Sequence, residues 1–568
     1  MWGSIFCPLL RGVAGLRRAG LERCAGDLRR RQERLLLRKV SRNADSDFGR
    51  DHCFHEIRSV EDFRRNVPLS TYEYALPYIL RVLDGESGAL YGPGERLRFV
   101  ASTSGTTSRA KYIPITNTFV REYQHSWWIW ASCACGDHAG AFQRQILQIP
   151  GSLHEEMPRA GVPCGSATGL IASMQPGFIR RLYVFPEAGS LITSGAAKYY
   201  AAMRFAATRD ISIFLAANPG TIVHIARVAA EDHERLVRDV RDGTITFPDE
   251  PPETVARELG RSLRPDPAGA KRLEEIRRRT GRLLPLDLWP GLGLIACWKG
   301  GPLQNWLAQF PAYFGDTPVR DVGLVASEGR MTIPMSSDGC AGVLDILSNF
   351  FEFVPLEEAG SAAPRTLLAH ELERDGMYLI VLTTSGGLYR YNINDVVKVA
   401  GFLRDAPELE FVNKGSGFAN LVGEKLSECQ VVQAVKEASA GFGAPPHTFT
   451  LAPQAVVPPF YVLFVEEEAV RGWREQDFLE RVDRGLQRLN ICYENERRLD
   501  QLGPMRMRKL SNGTWDRYCA ARIERNRGRV EQYKHTYLEA DFDFVGKLEG
   551  MLAADGSNIA VSAPDEER

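Results

Sequence analysis

The sequence predicts a mixed α/β protein with more than one domain. At about 150 residues per domain, its 568 residues are enough for several. Apolar runs at residues 97–101, 211–216 and 322–325 are typical of short strands, whereas residues 117–133 and 231–285 have helical patterns. Strands and helices are therefore mixed along the chain.

The composition argues against several classes of protein. The formal net charge is −1, so we expect no nucleic-acid partner and no membrane surface. No apolar run is long enough for a membrane-spanning helix. Eleven cysteines without a regular spacing favour free thiols in a reducing compartment, which we take to be the cytoplasm. Cys133, Cys135 and His138 could bind a metal, but the two cysteines point to different faces of a helix, so a buried cluster is favoured.

Two polar regions are expected to be helical. Residues 9–39 predict one amphipathic helix whose arginines face water. Because Arg11, Arg17 and Arg18 precede the first acidic residue, an organelle transit peptide is the alternative for this end. Residues 231–285 predict two surface helices joined by a proline-containing loop.

The first stretch with chemical content follows the strand at residues 97–101. It contains Ser104, Gly105, Thr106 and Thr107, and Lys111 comes shortly after them. Backbone N–H groups and hydroxyls in such a loop can wrap a phosphate, and the lysine adds a positive charge. The spacing excludes the loop of the P-loop NTPases. The alternative is an ordinary turn rich in serine and threonine.

A first carboxylate follows the predicted strand at residues 322–325. Ser327 and Glu328 come after it, where open α/β sheets bind their ligands. Glu328 could hold Mg²⁺ beside a triphosphate. The alternative is that Glu328 pairs with a nearby arginine and stabilises the loop.

A second carboxylate, Asp395, is predicted to lie in a turn between strands at residues 378–382 and 396–399. In that position it could accept hydrogen bonds from the paired hydroxyls of a ribose. An aspartate in a turn can also be a turn residue only.

Three tryptophans lie close together on the helix predicted at residues 117–133. Trp127, Trp128 and Trp130 cannot all face one side of it, so we expect some to line a core and one to face a cavity. A packing role is favoured for each.

The loop and the two carboxylate stretches, in this order, resemble the three nucleotide motifs of the GH3 family. Its members are acyl acid–amido synthetases of the adenylate-forming superfamily, and the likeness is strongest to the microbial ones. The superfamily loop reads S-G-T-T-G-x-P-K, from which this chain departs at Ser108 and Ala110. Over about residues 35–545, the matching segments are Gly49-Arg50, residues 67–72, residues 104–111, Trp298-x-Gly300-Gly301, Ala326-Ser327-Glu328, Tyr389-Arg390-x-x-x-x-Asp395, residues 401–412 and Gln532-Tyr533-Lys534.

The resemblance implies two domains and a tail. Residues 1–400 would form a large N-terminal domain of β-sheets flanked by helices, which binds the nucleotide and the acyl acid. Residues 401–552 would form a smaller, mobile α+β domain, and residues 553–568 a disordered tail. The active site would lie between the domains, with a candidate hinge at residues 399–404.

The resemblance also implies a reaction. ATP, with Mg²⁺, would adenylate a small carboxylic acid, and an amine such as an amino acid would then displace AMP to leave an amide. Ser104, Gly105, Thr106 and Thr107 would bind phosphates together with Lys111 and Ser327, Glu328 would hold magnesium, and Asp395 would bind the ribose. The identities of the acid and the amine, and the oligomeric state, are left open.

Two lysines beyond residue 401 are candidates for the α-phosphate. Lys425 stands in a polar turn before a helix expected to start near Ser427, and it matches the lysine that serves adenylation in the family. Lys534 belongs to the last matched segment, beside a strongly basic stretch, and its alternative is a solvated helix end.

Two other functions stay open at this point. One is a ligase that passes the acyl group from the same adenylate to coenzyme A. The other is a nucleotide-binding module without activity, which Ser108 and Ala110 suggest. The presence of Glu328, Asp395 and Lys425 argues against the second.

Overall fold

The structure is a computed structural model in which the chain forms two compact units. Unit 1 comprises Met1–Leu303, Leu307–Phe411 and Gly528–Gln532, and unit 2 comprises Gln304–Trp306, Val412–Arg527 and Tyr533–Arg568. The predicted mixed α/β class, with a large N-terminal and a smaller C-terminal domain, is confirmed. The residues described are 2–103, 111–359, 361, 363–415, 418–419, 421–422, 424, 426–454, 458–499, 501–525, 529–530 and 533–553.

Helices occur in both units. In chain order they are α1 (Trp2–Ala25), α2 (Leu28–Arg42), α3 (Asp47–Asp51), α4 (Val60–Asn66), α5 (Tyr72–Leu83), α6 (Asn117–Asp137), α7 (Ala167–Ser173), α8 (Gly177–Arg180), α9 (Gly195–Ala206), α10 (Pro219–Glu231), α11 (His233–Asp242), α12 (Glu253–Ser262), α13 (Pro267–Thr280), α14 (Pro285–Leu288), α15 (Gln304–Leu307), α16 (Phe310–Phe314), α17 (Glu428–Ser439), α18 (Glu475–Leu489), α19 (Ile491–Arg498), α20 (Thr514–Arg525) and α21 (Phe544–Ala553).

The strands are mostly short. They are β1 (Leu97–Thr103), β2 (Lys111–Thr116), β3 (Gln145–Gln148), β4 (Cys164–Gly165), β5 (Ile211–Leu215), β6 (Leu294–Cys297), β7 (Val319–Asp321), β8 (Val325–Ala326), β9 (Gly329–Arg330), β10 (Thr332–Ile333), β11 (Gly342–Leu344), β12 (Phe350–Pro355), β13 (Leu367–Leu368), β14 (Met377–Thr383), β15 (Tyr391–Leu403), β16 (Ala406–Lys414), β17 (Phe418–Ala419), β18 (Leu426–Ser427), β19 (Phe449–Gln454), β20 (Phe460–Glu466) and β21 (Arg506–Leu510).

Unit 1 is built on several sheets. A parallel sheet has the strand order β3-β5-β6-β7, and a larger sheet has the order β10-β11-β16-β15-β14-β12-β13. A third sheet, β2-β1-β4, and the hairpin of β8 and β9 complete the strands of this unit. Parallel strands buried on both faces need a continuous apolar sequence, and the residues of β6 are all buried.

Unit 2 has its own core around the sheet β19-β20-β21. Helices α17 and α18 pack against each other in the same unit. Their apolar faces, which include Val431, Val435, Phe478 and Val482, are buried with the side chains of β19 and β20.

Several predicted elements are confirmed. The strand predicted at residues 97–101 is the first part of β1, and the strand at 211–216 is β5. The side chain of Thr116 accepts a hydrogen bond from the N–H of Phe119 at 3.2 Å, so threonine caps the start of α6.

The single helix predicted at residues 9–39 is wrong, because the chain breaks into α1 and α2 at Gly26 and Asp27. The reason is tertiary. Helix α1 packs on α6, whereas α2 packs on β12, where the amide of Gln32 donates to the carbonyls of Ile346 and Asn349 at 3.2 and 3.0 Å. Glycine, a weak helix former, permits the change of direction.

The two helices predicted at residues 231–285 are in fact three, α11, α12 and α13. Prolines in the middle of this region suggested a loop. Pro252 immediately precedes α12, however, and Pro267 is the first residue of α13. Proline is favoured at the first positions of a helix, where its missing N–H costs no hydrogen bond, so these prolines start helices.

Three further findings concern membranes, thiols and metals. Within the described residues, no helix combines the length and apolar character needed to cross a bilayer. The ten cysteines from Cys24 to Cys519 are free thiols. Cys133 and Cys135 are buried and His138 lies 2.7 Å from the hydroxyl of Ser337; no cluster of three potential metal ligands occurs in the described part of the chain.

Candidate active site

The predicted phosphate loop starts and ends on an antiparallel ladder in unit 1. Thr103, the last residue of β1, pairs with Lys111, the first residue of β2. The two ends of the loop are therefore adjacent, and Lys111 stands at one of them. Four predicted phosphate ligands lie outside the described residues: Ser104, Gly105, Thr106 and Thr107.

Tyr72 joins the start of α5 to the start of β2. The ammonium of Lys111 lies 5.3 Å from the centre of the Tyr72 ring, a cation–π contact. The hydroxyl oxygen of Tyr72 accepts a hydrogen bond from the N–H of Tyr112 at 2.8 Å. Tyr112 in turn donates its hydroxyl to Glu156 at 3.0 Å. The phosphate-loop lysine is thus held beside the last of the six matched residues 67–72.

Glu328 lies in the tight turn between β8 and β9 and is only 8% exposed. Its Oε1 atom is 3.5 Å from the hydroxyl of Tyr391, the first residue of β15. Burial raises the pKa of Tyr391 and the carboxylate of Glu328 adds to this shift. The pKa of Tyr72 is raised by burial and by the same carboxylate. Glu328 therefore lies close to both tyrosines.

The strand predicted at residues 322–325 is wrong. Strand β7 ends at Asp321, and the chain turns at Gly323, whose φ of +90° is accessible mainly to glycine. The carboxylate of Asp321 accepts the N–H of Gly323 at 2.5 Å and fixes this turn. Glu328 is consequently not at the end of a strand of the parallel sheet. It lies in a separate hairpin formed by the two short strands β8 and β9. Ser327 shares that hairpin turn.

Arg330 lies two residues after Glu328 in the same hairpin. Its guanidinium donates to the backbone carbonyls of Val322 and Thr332, at 2.6 and 3.1 Å. It also lies over the ring of Trp127, with 4.6 Å between the guanidinium carbon and the ring centre. Arg330 thus fastens the hairpin to the preceding loop and to α6.

Asp395 lies within β15 and not in a turn between two strands, so that prediction is wrong. Val396 pairs with Leu379 while Asn392 pairs with Val381, which leaves Ile393, Asn394 and Asp395 opposite one residue of β14. This is a β-bulge, and Asn394 adopts a left-handed φ of +61°. Bulges re-aim side chains, and Asp395 is buried here, 3% exposed.

Tyr389 and Arg390, which belong to the third motif, connect it to the N-terminal segment. Ser70 binds both residues. Its N–H donates to the carbonyl of Arg390 and its hydroxyl donates to the carbonyl of Tyr389, each at 2.8 Å. The guanidinium of Arg390 binds the buried carboxylate of Glu352 at 2.9 Å and the carbonyl of Val67 at the same distance. Arg390 is therefore part of the framework that places β15.

Arg529 contributes a contact that the sequence did not predict. It belongs to the short segment that unit 1 receives from near the C-terminus. Its guanidinium donates to the carbonyl of Ser102 at 3.1 Å and pairs with the carboxylate of Glu155. Ser102 lies next to the last residue of β1, so a buried arginine supports the strand that leads into the phosphate loop.

In unit 2, Lys425 lies outside the described residues, but its neighbours are clear. Glu424 accepts the N–H groups of Leu421 and Val422 at 2.7 and 2.9 Å, which closes the turn before it. Ser427 caps α17 in a reciprocal pair with Gln430, so the predicted helix start near Ser427 is confirmed.

Glu428 connects this turn to the segment that carries Lys534 in the same unit. Its carboxylate accepts the N–H of Tyr537 at 2.5 Å. Burial raises the pKa of Glu428 to about 7, and the positive charge of Lys534 acts in the opposite direction. Lys534 itself is exposed.

An apolar cavity of about 120 Å³ lies in unit 1 beside α6. Trp127, Trp128 and Trp130 all line it, whereas only one was expected to face a cavity; Trp130 is also buried in the core, as expected of some of them. Trp127, Trp130 and Ala131 are spaced by three and four residues and share one helix face. Strands β3, β5 and β6 supply part of the opposite wall.

Comparison with protein-family models gives matches along most of the chain. Residues 17–319 match the GH3 family N-terminal domain, residues 342–414 its central domain and residues 429–541 its C-terminal domain. The chain belongs to the GH3 family. The resemblance inferred from the motifs is therefore confirmed.

Curated GH3 relatives span nearly the same length. The chain is 26% identical to a probable indole-3-acetic acid-amido synthetase of Oryza sativa subsp. japonica, over 89% of this chain and 86% of the relative. It is 23% identical to a jasmonoyl–L-amino acid synthetase of the same organism, over 86% and 88%.

A solved GH3 structure has the same fold. The GH3.15 acyl acid amido synthetase superposes with a TM-score of 0.80 at 19% identity, covering 97% of this chain and 96% of the other. The same enzyme in complex with 2,4-DB gives 0.78 at 19% identity, covering 94% and 96%. These likenesses confirm the two-domain α/β fold.

Sequence reasoning gave no role to several GH3 residues that organise the site. Tyr72 lies in a matched motif and Tyr391 lies beside one. Each is the first residue of its helix or strand, and this was the only feature of the sequence that could have pointed to them. Arg529 was taken as one of many arginines in a basic stretch. Nothing in the sequence distinguished Glu428, because its partner is more than a hundred residues away.

Proposed function

We propose that this chain is an ATP-dependent ligase that joins a small carboxylic acid to an amine, with an amino acid as the amine. Its family and its relatives support this function, because the curated GH3 proteins that it resembles over most of its length are named as indole-3-acetic acid-amido and jasmonoyl–L-amino acid synthetases. The amide would form with release of AMP and pyrophosphate.

The observation that carries the proposal is the group around Tyr72. Lys111 from the phosphate loop contacts the ring of this residue. Glu328 from the second motif raises the pKa of Tyr72, and it lies 3.5 Å from the hydroxyl of Tyr391 at the edge of the third motif. Adenylation requires a phosphate loop, a carboxylate for the metal and a group for the ribose. These three parts are far apart in the sequence, and the fold brings them close to one another.

The reaction would have two steps. An oxygen of the substrate carboxylate attacks the α-phosphorus of ATP, the bond to the pyrophosphate oxygen breaks, and an acyl-adenylate forms. The nitrogen of the amine then attacks the acyl carbon, the bond to the AMP oxygen breaks, and the nitrogen loses a proton. Charge moves among phosphate oxygens in the first step, so positioned positive groups lower its barrier.

Glu328 is the residue that would hold Mg²⁺. Magnesium at a nucleotide takes one or two protein carboxylates and fills its remaining positions with phosphate and water, so one buried carboxylate in a tight turn fits the ion. Bound there, the ion would neutralise charge on the phosphates. Tyr391 would keep the carboxylate oriented through its hydroxyl.

The other site residues keep the roles that the resemblance implies. Ser104, Gly105, Thr106 and Thr107, with Lys111 and Ser327, would bind the phosphates, and Asp395 the ribose. Lys425 would reach the α-phosphate during adenylation and Lys534 would assist at the nucleotide. The body of the acid would occupy the apolar cavity beside α6.

Three further predictions accompany this function. A cytoplasmic location is supported by the ten free thiols. A mobile C-terminal domain over residues 401–552 would alternate between the two steps, with residues 1–400 as the nucleotide- and acid-binding domain. The candidate hinge at residues 399–404 lies within and just after β15, and the chain passes from unit 1 to unit 2 at Phe411 and Val412.

The test is pyrophosphate exchange into ATP with the full chain, Mg²⁺ and a panel of aryl, indolyl and fatty acids. Exchange that depends on one class of acid supports adenylation. With the best acid, amino acids and coenzyme A are then offered in parallel. Amide formation supports the proposal, thioester formation favours the coenzyme A ligase, and no exchange with any acid contradicts both.

A further inference from the structure

The apolar cavity beside α6 has a size and a lining that restrict the acid. We propose that it selects a monocarboxylic acid whose body is a single neutral apolar ring and disfavours fused-ring and polar-substituted acids. The inference rests on the proposed function, since it names the substrate class of that reaction. It is carried by the volume, the lining and the hydrogen bonds of the cavity.

Volume sets the upper limit. The cavity measures about 120 Å³. An engineered protein cavity of about 150 Å³ lined by apolar side chains binds benzene, which shows that spaces of this size hold one six-membered ring. A fused two-ring system needs more room and would have to displace wall residues, and well-packed interiors resist such shifts.

The lining favours an aromatic ring. Trp127 and Trp130 stand edge to face, with ring centres 5.2 Å apart and an angle of 85° between the planes. Phe142 and Tyr183 also contribute rings to the walls. Aromatic rings gain stabilisation beyond their buried area in edge-to-face or offset contacts, so a ring substrate is favoured over an aliphatic chain of equal volume.

The polar side chains at the wall are already engaged elsewhere. Gln124 donates its amide to the carbonyl of Met174 and Gln175 to that of Ile171, each at 3.2 Å. Arg144 pairs with Asp210 at 3.0 Å. Part of the hydrogen-bonding capacity of these three side chains is therefore used by neighbours in unit 1.

Two further polar atoms at the wall are fully covered. The indole nitrogen of Trp127 and the amide oxygen of Gln148 are buried. Because they have almost no accessible surface, they do not present a donor or acceptor to the cavity. Because the walls are mostly apolar, a hydroxyl or second carboxylate on the acid would lose more hydrogen bonds to water than the cavity returns, which is unfavourable.

The wall of the cavity at Trp127 is the one in contact with the hairpin that carries Glu328. The guanidinium of Arg330 covers the ring of Trp127, and Arg330 is two residues from Glu328 in the same hairpin. A positive charge behind this wall favours the carboxylate of the substrate at that end. The ring would then extend toward Leu215 and Leu294, away from the nucleotide.

The test measures binding of acids to the full chain without ATP, through tryptophan fluorescence and the shift in thermal midpoint. Phenylacetate is compared with indole-3-acetate, 4-hydroxyphenylacetate and 4-carboxyphenylacetate. Phenylacetate is expected to bind at least about tenfold more tightly than each of the others, the discrimination that a hydrophobic pocket gives against a misfitting group.

Two variants alter the cavity in opposite directions. Met174→Ala enlarges it and should improve indole-3-acetate binding about tenfold, whereas Ala131→Leu fills it and should abolish phenylacetate binding. The matched controls are Met377→Ala and Ala268→Leu, the same changes at exposed positions, and both should bind acids as the natural chain does. Met174→Ala keeps the test decisive if Ala131→Leu fails to fold.

Pyrophosphate exchange in the same samples separates this inference from the proposed function. Selective phenylacetate binding without exchange would support the cavity and contradict the ligase. Exchange that is indifferent to ring size or to the hydroxyl would support the ligase and overturn the inference. Equal binding of indole-3-acetate and phenylacetate, or no binding of any acid, would overturn it as well.

Discussion

At the scale of the residue, Tyr72 has contacts at the candidate site that its position in the sequence does not predict. Its ring receives the ammonium of Lys111, its hydroxyl oxygen accepts the N–H of Tyr112, and the carboxylate of Glu328 raises its pKa. A single aromatic side chain thereby touches a phosphate-loop lysine and lies beside a candidate metal ligand. Arg390 differs from Tyr72. It belongs to a matched motif, but its guanidinium forms an ion pair with Glu352 and so has a structural role.

The role of Glu328 can be tested by Glu328→Gln, which keeps the size of the side chain and removes its charge. The rate of pyrophosphate exchange should fall about 10²-fold or more, by analogy with the loss of one electrostatic contact at a reacting centre. The Mg²⁺ concentration for half-maximal exchange should also rise. Exchange is measured across a magnesium series.

The control for this variant is Glu253→Gln at an exposed position, 84% accessible, at the start of α12. It should leave both the rate and the magnesium dependence unchanged. An unaltered magnesium series in Glu328→Gln would remove Glu328 from the metal site.

The two lysines of unit 2 give a second prediction at this scale. Lys425→Ala should nearly abolish pyrophosphate exchange, by about 10²–10³-fold, with no change in the thermal midpoint. Lys534→Ala, its matched control, should have a milder effect on that step. If exchange survives in Lys425→Ala and is lost in Lys534→Ala, the two assignments are reversed.

At the scale of the element, strand β15 carries the site through an irregularity. The bulge at Ile393–Asp395 turns Asp395 out of the regular alternation, and it depends on the left-handed torsion of Asn394. Asn394 is held there by its own N–H, which donates to the side chain of Asn392 at 2.8 Å. Asparagine tolerates this conformation better than most residues.

Asn394→Val tests the bulge, since a β-branched residue resists a positive φ. It should lower the free energy of unfolding by about 1–2 kcal/mol and weaken ATP binding, because Asp395 would lose its direction. Asn394→Gly, which accepts the torsion, should bind ATP like the natural chain. Denaturant unfolding and ATP titration measure both effects, and equal ATP affinity in the valine variant would separate the bulge from the nucleotide.

Helix α17 carries a pH-dependent element. The folded pKa of Glu428 is about 7, above the ordinary glutamate value of 4.5. Between these values the folded state holds a proton that the unfolded state has lost, so this group makes stability fall as pH rises from about 4.5 to 7. The loss over that window is about 3 kcal/mol at most, from 1.36 kcal/mol per pKa unit.

Glu428→Gln removes this titration while it keeps an oxygen for the N–H of Tyr537. The stability of the variant, relative to the natural chain, should therefore increase as pH rises through the window and level off above pH 7. Denaturant midpoints of both proteins at a series of pH values test this expectation. Parallel pH curves would show that Glu428 does not titrate as proposed.

At the scale of the whole molecule, the sequence predicted what depends on local pattern and on family motifs. The starts of α6 and α17, strands β1 and β5 and the mixed α/β class followed from local pattern, and the GH3 family followed from the resemblance of the motifs. The predictions were wrong where contacts between residues distant in the sequence determine the structure. The break between α1 and α2 depends on Gln32 binding the chain near Ile346, which no local pattern reveals.

The candidate site divides in the same way. The motifs identified Glu328 and Asp395 as candidates. The hairpin that carries Glu328 and the β-bulge that carries Asp395 could not be predicted, because they depend on strand pairing and on backbone torsions that do not follow the regular alternation of a strand. The cavity could not be predicted at all. Its walls come from α6, β3, β5 and β6, which are separated by up to about 170 residues in sequence.

The measurement that tests the central claim most directly is oxygen transfer from the acid to AMP. The full chain is supplied with ATP, Mg²⁺, an amino acid and an acid labelled with ¹⁸O in both carboxylate positions, and the AMP is analysed by mass spectrometry. An acyl-adenylate route places one ¹⁸O atom in each AMP and leaves one in the amide. AMP without label, or label in a released phosphate instead, would contradict the account.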